Sequence, residues 1–227
     1  MRALMLRSIV HAYLLISVLA GAGLSLGAAV QPASASQQPK DSDAWQGWPG
    51  PDGWPKLPGP EWLDSTLNES AKKLETVKAI KQPGADIQSL QSKASDLLEK
   101  SKQARDNFFR CARLMSAANA LMDAAYGIFQ SRKADRAPFD FWSVGMVLQG
   151  YYYRIQQAHS FAQMSGEKNS DQYETLARTL YQQARGAYDA REYQRSRYLA
   201  DAAASIVFAL ESIAQASAPP PTHPNFK

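Results

Sequence analysis

Proline is scarce in one long stretch of this chain, and that scarcity constrains the fold more than any other feature. Between Glu61 and Ala218 only Pro83 and Pro138 occur, although the whole sequence of 227 residues contains 13 prolines. Proline interrupts helices, so the stretch has room for long ones. Apolar residues recur through it at steps of three and four, and no segment shows sustained apolar–polar alternation. The pattern predicts an all-α protein, an antiparallel bundle of about five helices.

An unusually long apolar stripe follows Asp86, which is suited to cap a helix. Its members alternate steps of three and four without a slip: Ile87, Leu90, Ala94, Leu97, Ser101, Ala104, Phe108, Cys111, Met115, Ala118, Met122, Ala125 and Phe129. We predict one very long second helix that ends near Ser131 and measures about 65 to 70 Å. A break near Asp106–Asn107 would instead give two helices.

The other helices are delimited by residues that stop or cap a helix. These are Pro83 and Gly84 after a first helix over residues 61–82, Pro138 in the first turn of the third, Gly166 at its end, Asn169 or Ser170 before the fourth, and Ala190 in the turn before the fifth.

The first 35 residues have the three parts of a secretory signal peptide. Arg2 and Arg7 give a positive start, an apolar stretch of about 20 residues follows, and Ala33-Ser34-Ala35 offers small residues for a signal peptidase. We expect a mature start near Ser36 and export to the periplasm or an equivalent envelope space. If the segment is not cleaved, it is long enough to remain as a membrane anchor. A lipid anchor would need a cysteine at the new N-terminus, and the only cysteine is Cys111.

Removal of the signal peptide would leave 23 basic and 21 acidic residues, a net formal charge of +2. An exported protein so close to neutral is a poor candidate for nucleic-acid binding. About 190 residues would remain, which is enough for one domain with its own core.

Residues 36–60 are rich in proline, glycine and tryptophan, which excludes a regular helix or a central strand. We predict an extended strap there. Plain disordered linkers avoid large aromatic residues, so we expect Trp45, Trp48 and Trp54 to dock onto this protein's own bundle or onto a partner protein or glycan. Residues 61–217 then form the bundle, and residues 218–227, with three consecutive prolines, form a disordered tail.

Groups that carry catalysis or bind metals are scarce. Only His159 of the three histidines lies in the predicted bundle, and Cys111 occupies an apolar position typical of a core residue. Zinc sites need several histidine or cysteine ligands. The sequence has no phosphate-binding glycine loop and no nucleophile-elbow motif. We predict that the protein is not an enzyme and holds no cofactor or metal.

Three polar residues stand in apolar sequence and are candidate buried polar groups: Asn119, Asp123 and Glu211. A buried carboxylate needs a partner. An arginine of a neighbouring helix could supply it: Arg154, Arg178 or Arg185. Two interpretations remain open. The groups either fix the register of the bundle through interhelical bonds or form a carboxylate–histidine site with His159.

Residues 151–198 hold eight tyrosines interleaved with six arginines. Tyrosine suits the rim of a core, where the ring is buried and the hydroxyl is hydrated. The same residues would suit a partner-binding groove, and both interpretations stay open. The candidate partner-binding residues are therefore Trp45, Trp48, Trp54, Tyr151, Tyr152, Tyr153 and Arg154.

One stretch near the C-terminus resembles the turn and second helix of a tetratricopeptide repeat. It comprises Ala187-Tyr188-Asp189-Ala190-Arg191-Glu192-Tyr193 followed by Leu199-Ala200 and Ala203. Ser196 stands where that repeat usually has alanine, and no second copy appears at a spacing of about 34 residues. The resemblance implies one helical hairpin rather than an array of repeats.

A second resemblance covers residues 139–142, 150–158 and 209–211. These stretches are similar to a group of short exported helical proteins of cyanobacteria that have no assigned function. The similarity implies an envelope or thylakoid-lumen setting and supplies no active site.

The sequence therefore predicts an exported, non-catalytic binding or scaffold protein of the bacterial envelope, whose partner is another envelope protein. A binder of glycans or hydrophobic ligands is one alternative. An enzyme that uses Asp123, Glu211 and His159 is the other.

Overall fold

The computed structural model describes residues 60–134 and 140–218. Within these ranges the chain forms six helices and no strands. The helices are α1 (Pro60–Lys78), α2 (Ala85–Gln103), α3 (Phe108–Ser131), α4 (Phe141–Ser165), α5 (Ser170–Asp189) and α6 (Tyr193–Ser217). They pack around a shared hydrophobic core, so the expected all-α class is confirmed.

Several expectations fall on residues that the structure does not describe. The signal peptide, the strap apart from Pro60, and the tail beyond Ala218 all lie outside the described ranges. Trp45, Trp48 and Trp54 belong to that part of the chain, and their docking stays a prediction.

The two central helices are α3 and α6, which share the largest contact in the bundle. Helices α1 and α2 pack against α3, while α4 and α5 pack against α6. Small residues allow the central pair to approach closely. A Cβ atom added at Gly127 would lie 3.1 Å from the carbonyl oxygen of Tyr198 and 3.2 Å from the Cβ of Ala202. The interhelical distance is therefore set by residues with little or no side chain.

Helix α6 is apolar over most of its surface because it is surrounded by neighbours. It is the one described helix that is long and apolar enough to cross a membrane by composition, with a mean hydropathy of 1.3 in its most apolar window. However, 67% of that window is buried in the bundle. The apolar residues that recur in α6 at steps of three and four are buried: Leu199, Ala203, Ile206, Leu210 and Ile213.

The prediction of one very long second helix is wrong, and the alternative of a break near Asp106–Asn107 is confirmed. The segment forms two helices, α2 and α3, separated by residues 104–107. The Asn107 side chain accepts a hydrogen bond from the backbone N–H of Arg110 at 3.0 Å and so caps α3. Across the break, the Ser101 hydroxyl donates to the Cys111 carbonyl oxygen at 3.0 Å. The apolar stripe continues from α2 into α3, and its steps of three and four residues are not interrupted by the connecting residues 104–107. Periodicity alone therefore could not reveal the break.

The ends of the other helices depend on local capping. Helix α1 ends at Lys78, before the predicted stop, and Gln82 in the connection takes a left-handed φ of 53°. Helix α4 begins at Phe141, after Pro138, which was expected in its first turn and lies outside the described residues. The Asp140 side chain caps α4 by accepting a 3.0 Å hydrogen bond from the Trp142 backbone N–H. Gly166 ends α4 with a φ of 62°, as its sequence position predicted.

Helices α5 and α6 form a hairpin joined by residues 190–192. Ser196, which departs from the tetratricopeptide pattern, is fully buried and donates a hydrogen bond to the Ala184 carbonyl oxygen at 2.8 Å. This bond satisfies the hydroxyl and joins the two helices, so serine is stable at a position that usually holds alanine.

Candidate partner-binding surface on α4

Helix α4 has two apolar faces, and only one of them is buried. The buried face packs against α5 and α6 and consists of Val144, Leu148, Ile155, Ala158 and Ala162. The other face carries Trp142, Met146, Tyr153 and Met164, whose exposed fractions are 68%, 62%, 72% and 58%. At 100° per residue these four side chains lie within about 40° of one another around the helix axis. They form a continuous exposed stripe opposite the core, which we call the outer face of α4.

The outer face carries no permanent charge. In its 25 residues α4 contains no lysine, aspartate or glutamate, and its only basic residues are Arg154 and His159. The exposed positions around the four apolar residues hold Gln149, Gly150, Gln156, Gln157, Ser160 and Gln163, whereas the exposed Tyr152 and His159 lie on the side of α4 that faces α5. Loss of charge together with gain of aromatic residues and methionine is the compositional mark of the centre of a protein interface.

A groove runs between α4 and α5 beside the outer face. Its volume is about 460 Å³, and its walls include Tyr152, Tyr153, Arg185, Tyr188 and Asp189. Gly145 allows the tyrosine of α5 to approach, since an added Cβ would lie 3.1 Å from the hydroxyl of Tyr188. The groove therefore combines aromatic faces with one positive and one negative side chain.

The buried floor of this groove is held by Tyr181. Its hydroxyl donates to the Leu148 carbonyl oxygen at 2.8 Å and joins α5 to α4. Burial raises the pKa of Tyr181 above its ordinary value, because the phenolate would lose its hydration there.

Tyr151 and Arg154 bind within the bundle, unlike their neighbours in the tyrosine run. The Tyr151 hydroxyl donates to a carboxylate oxygen of Asp201 at 3.1 Å. Burial and then the Asp201 charge raise the pKa of Tyr151 to about 12. Arg154 forms an ion pair with Glu211 and lies over the Phe208 ring, 5.6 Å from its centroid. These two residues fasten α4 to α6, whereas Tyr152 and Tyr153 lie on the surface.

The three candidate buried polar residues are in different environments. Asn119 is partly buried and donates to the Ser70 hydroxyl at 2.9 Å. Glu211 is partly buried against Arg154, one of the arginines expected as a partner. Asp123 is not buried: 58% of its side chain is exposed, and it pairs with Lys73 of α1 at 2.8 Å. Helix α3 is apolar most of the way round, but Asp123 lies on the strip that faces solvent beside α1.

His159 is an exposed residue in a hydrogen-bonded group. Its Nδ1 lies 2.9 Å from a carboxylate oxygen of Glu174, whose second oxygen accepts from Arg178 Nε at 2.9 Å. Desolvation raises the pKa of Glu174, but the bonds from His159 and Arg178 outweigh it and hold that pKa below its ordinary value. The residues of the carboxylate–histidine hypothesis thus bond to different helices: Asp123 to α1, Glu211 to α4 and His159 to α5.

Possible metal ligands and the thiol were located in the described part of the chain. No group of three or more histidine, cysteine, aspartate or glutamate residues is placed to hold a metal ion there. Cys111 is buried, as its position in the sequence predicted, and its sulfur lies 3.2 Å from the Ser101 hydroxyl.

Sequence reasoning missed Trp142, Met146 and Met164. The sequence does contain a pattern that indicates this face. Trp142, Met146, Tyr153 and Met164 follow one another at intervals of 4, 7 and 11 residues, which places them on the side of the helix opposite Val144 and Leu148. A second apolar stripe on one helix shows only that two faces avoid water, and the bundle determines which one is covered.

The fold and the surface together define an all-α helical bundle with one uncharged, apolar helix face left open among the described residues. Comparison of the chain with family models, with curated proteins and with solved structures gave no match.

Proposed function

We propose that this chain is an exported, non-catalytic binding or scaffold protein of the bacterial envelope, and that it binds its partner protein through the outer face of α4. The observation that carries the proposal is the exposed stripe of Trp142, Met146, Tyr153 and Met164 on a helix without acidic residues or lysine.

The size of the stripe supports a protein partner. Phe141 and Tyr152 are also exposed on α4, at 49% and 42%. They lie about 100–120° around the helix axis from the centre of the outer face and are not part of it. At about 200 Å² for a fully exposed large side chain, the four side chains of the outer face present about 520 Å² of mostly apolar surface. The largest apolar patch on a typical monomer covers about 300–600 Å² and is often functional. A patch of this size on a protein that remains in solution is expected to be covered by a partner.

The export part of the proposal rests on the sequence of residues 1–35. The similarity of residues 139–142, 150–158 and 209–211 to exported cyanobacterial proteins supports the same compartment and adds the thylakoid lumen as a destination.

A site-specific photo-crosslinking experiment tests the binding surface. A photoreactive amino acid replaces Gln149, which is exposed on the outer face, and in a control chain it replaces Gln88, which is exposed on α2. Irradiation of cells that express the full chain is expected to give a discrete protein adduct at position 149 and none at position 88. The binding proposal is wrong if position 149 gives no adduct, or if both positions give the same one.

The groove between α4 and α5 supports a second candidate, a binder of glycans or hydrophobic ligands. Flat tyrosine rings suit sugar faces, and Arg185 and Asp189 could bind hydroxyl groups. Peptidoglycan fragments are expected to perturb the tyrosine ring resonances of the wild-type protein and not those of a Tyr152→Ala, Tyr188→Ala variant. Equal perturbation of both proteins would place the ligand elsewhere.

A further inference from the structure

The outer face of α4 has the pattern of a surface that pairs with a copy of itself. We propose that two copies of this chain associate through α4, with the two helices antiparallel and a twofold axis at Tyr153. This inference rests on the proposed function of the outer face as a binding surface, and it names the partner as a second copy of the chain.

The positions of the largest residues are symmetric about Tyr153. Trp142 precedes it by eleven residues, and Met164 follows it by eleven. Eleven residues make about three turns of helix, so all three side chains lie on the same side of α4. In an antiparallel pair centred on Tyr153, the Trp142 ring of each copy faces the Met164 thioether of the other. Contacts between a thioether and an aromatic ring are favourable.

The residues between these positions alternate in size in a way that suits the same pairing. Met146 would face Ser160, and Gly150 would face Gln156, so at these two levels a larger residue meets a smaller one. A Cβ atom added at Gly150 would meet nothing within 4 Å in the isolated chain. The space over Gly150 is therefore open to a side chain of the second copy, and it contributes to complementary packing of the two helices.

The charge distribution favours a second copy over a differently charged protein. In a twofold interface the same surface contributes from both sides, so any charge near the axis would face its own image. The outer face avoids this repulsion because it holds apolar side chains, glutamines, serine and glycine. Arg154, the one permanently charged residue of α4, is turned towards Glu211 of α6. An uncharged surface can pair with itself without electrostatic cost.

The outer face approaches the area that a stable dimer needs. The helix between Trp142 and Met164 is about 33 Å long. The four large side chains of the outer face present about 520 Å², and the exposed polar residues between them extend this surface towards the roughly 800 Å² that each partner contributes to a standard interface. Helix α4 packs against α5 and α6 on its inner side only, so no described helix obstructs the approach.

The first test measures the mass of the protein in solution. The protein is purified from cells that express the full sequence, and sedimentation equilibrium gives its molecular mass between about 1 and 100 μM. The wild type is expected to be a dimer. Tyr153→Glu would place two carboxylates at the axis, and the dissociation constant is expected to rise at least ~100-fold. Tyr126→Glu alters an exposed tyrosine of α3 outside the outer face and should leave the dimer intact.

The second test measures the register and does not depend on the glutamate variant folding. Cys111 is buried, so a cysteine introduced on the outer face is the reactive thiol under mild oxidation. Tyr153→Cys is expected to form a disulfide-linked dimer with itself. Trp142→Cys alone should not, because its two copies would lie about 33 Å apart, far beyond the Cα separation of a disulfide. Mixing Trp142→Cys with Met164→Cys should restore cross-linking between the two chains.

Each other outcome overturns the proposal in a distinguishable way. If the wild-type protein is monomeric at 100 μM, the proposal that a second copy of the chain is the partner is wrong. The photo-crosslink at position 149 then identifies the true occupant: another protein leaves the proposed function standing, and attachment to residues 36–60 of the same chain shows that the strap covers the face. Self-cross-linking of Trp142→Cys would show a parallel pair, and a dimer unchanged by Tyr153→Glu would place the interface elsewhere.

Discussion

Replacing Gly127 with alanine should destabilise the bundle, although alanine is the better helix former. In an exposed helix interior the exchange stabilises by about 1 kcal/mol. At Gly127 the new methyl group would lie 3.1 Å from the backbone carbonyl oxygen of Tyr198 and 3.2 Å from the Ala202 Cβ. Neither atom belongs to a flexible side chain, so α3 and α6 must separate. Overpacking of this kind costs about 1–3 kcal/mol, which leaves a net loss of about 1 kcal/mol.

The matched control is Gly186→Ala, because a Cβ atom on this α5 residue would meet nothing within 4 Å. That variant should gain about 1 kcal/mol, so the two substitutions should differ by about 2 kcal/mol. Urea unfolding followed by circular dichroism, at one fixed protein concentration, measures the difference. With a slope of about 2 kcal/mol/M the midpoints should differ by about 1 M. Equal stabilisation by both substitutions would refute the close approach of α3 and α6.

Three further outcomes are expected. The Glu167 carboxylate accepts hydrogen bonds from Lys93 at 2.6 Å and from Lys100 at 2.9 Å. Glu167→Gln should therefore lower the free energy of unfolding at pH 7 by about 1–3 kcal/mol, as measured by urea unfolding. The exposed Glu75→Gln is the control and should lower it by about 0.5 kcal/mol or less. Burial raises the pKa of Glu167, but the bonds from both lysines lower it by more, so the net shift is downward. The stabilisation by the Glu167 carboxylate should therefore be lost as the pH falls through that lowered pKa, and the unfolding free energies of the variant and the wild type should converge there. Burial and the Asp201 charge raise the pKa of Tyr151 to about 12. The free energy of unfolding should therefore fall as the pH rises from about 10 towards 12. In an ultraviolet absorbance titration, Tyr151→Phe should remove the tyrosine that ionises at the highest pH. N-terminal sequencing of the purified protein should give a start near Ser36, and a start at Met1 would show that the signal segment is retained.

Apart from α4, which has two apolar faces, the spacing of apolar residues indicates the buried side of a helix better than it indicates where the helix ends. In α1 the apolar residues at helical spacing include Leu63, Leu67, Leu74 and Val77, and all four are buried. The side of a helix that avoids water follows from composition, since burial of apolar groups dominates the free energy of folding. The break between α2 and α3 depends instead on a few polar contacts at Asn107, and the apolar stripe carries no trace of it.

The candidate site was predictable only in part, for a related reason. The tyrosine run was visible in the sequence, but its members have opposite roles. Tyr151 bonds to Asp201 inside the bundle, and Tyr153 is 72% exposed. Adjacent residues on a helix point 100° apart. A shift of one or two positions along α4 therefore decides whether a tyrosine bonds to α6 or lies on the surface. The position of α6 in the bundle determines which tyrosine does which.

Gly145 is a second glycine that a neighbouring side chain approaches, but there alanine should stabilise the protein. A Cβ atom added at Gly145 would lie 3.1 Å from the Tyr188 hydroxyl and 3.6 Å from the ring carbon that bears it. These atoms form the far end of a side chain that can rotate, so Gly145→Ala should keep most of the helix-propensity gain of about 1 kcal/mol. The ring must move, and with it the wall of the groove between α4 and α5. Near-ultraviolet circular dichroism should therefore change while urea stability rises. A loss of stability as large as that of Gly127→Ala would show that Tyr188 is held as rigidly as the backbone of α6.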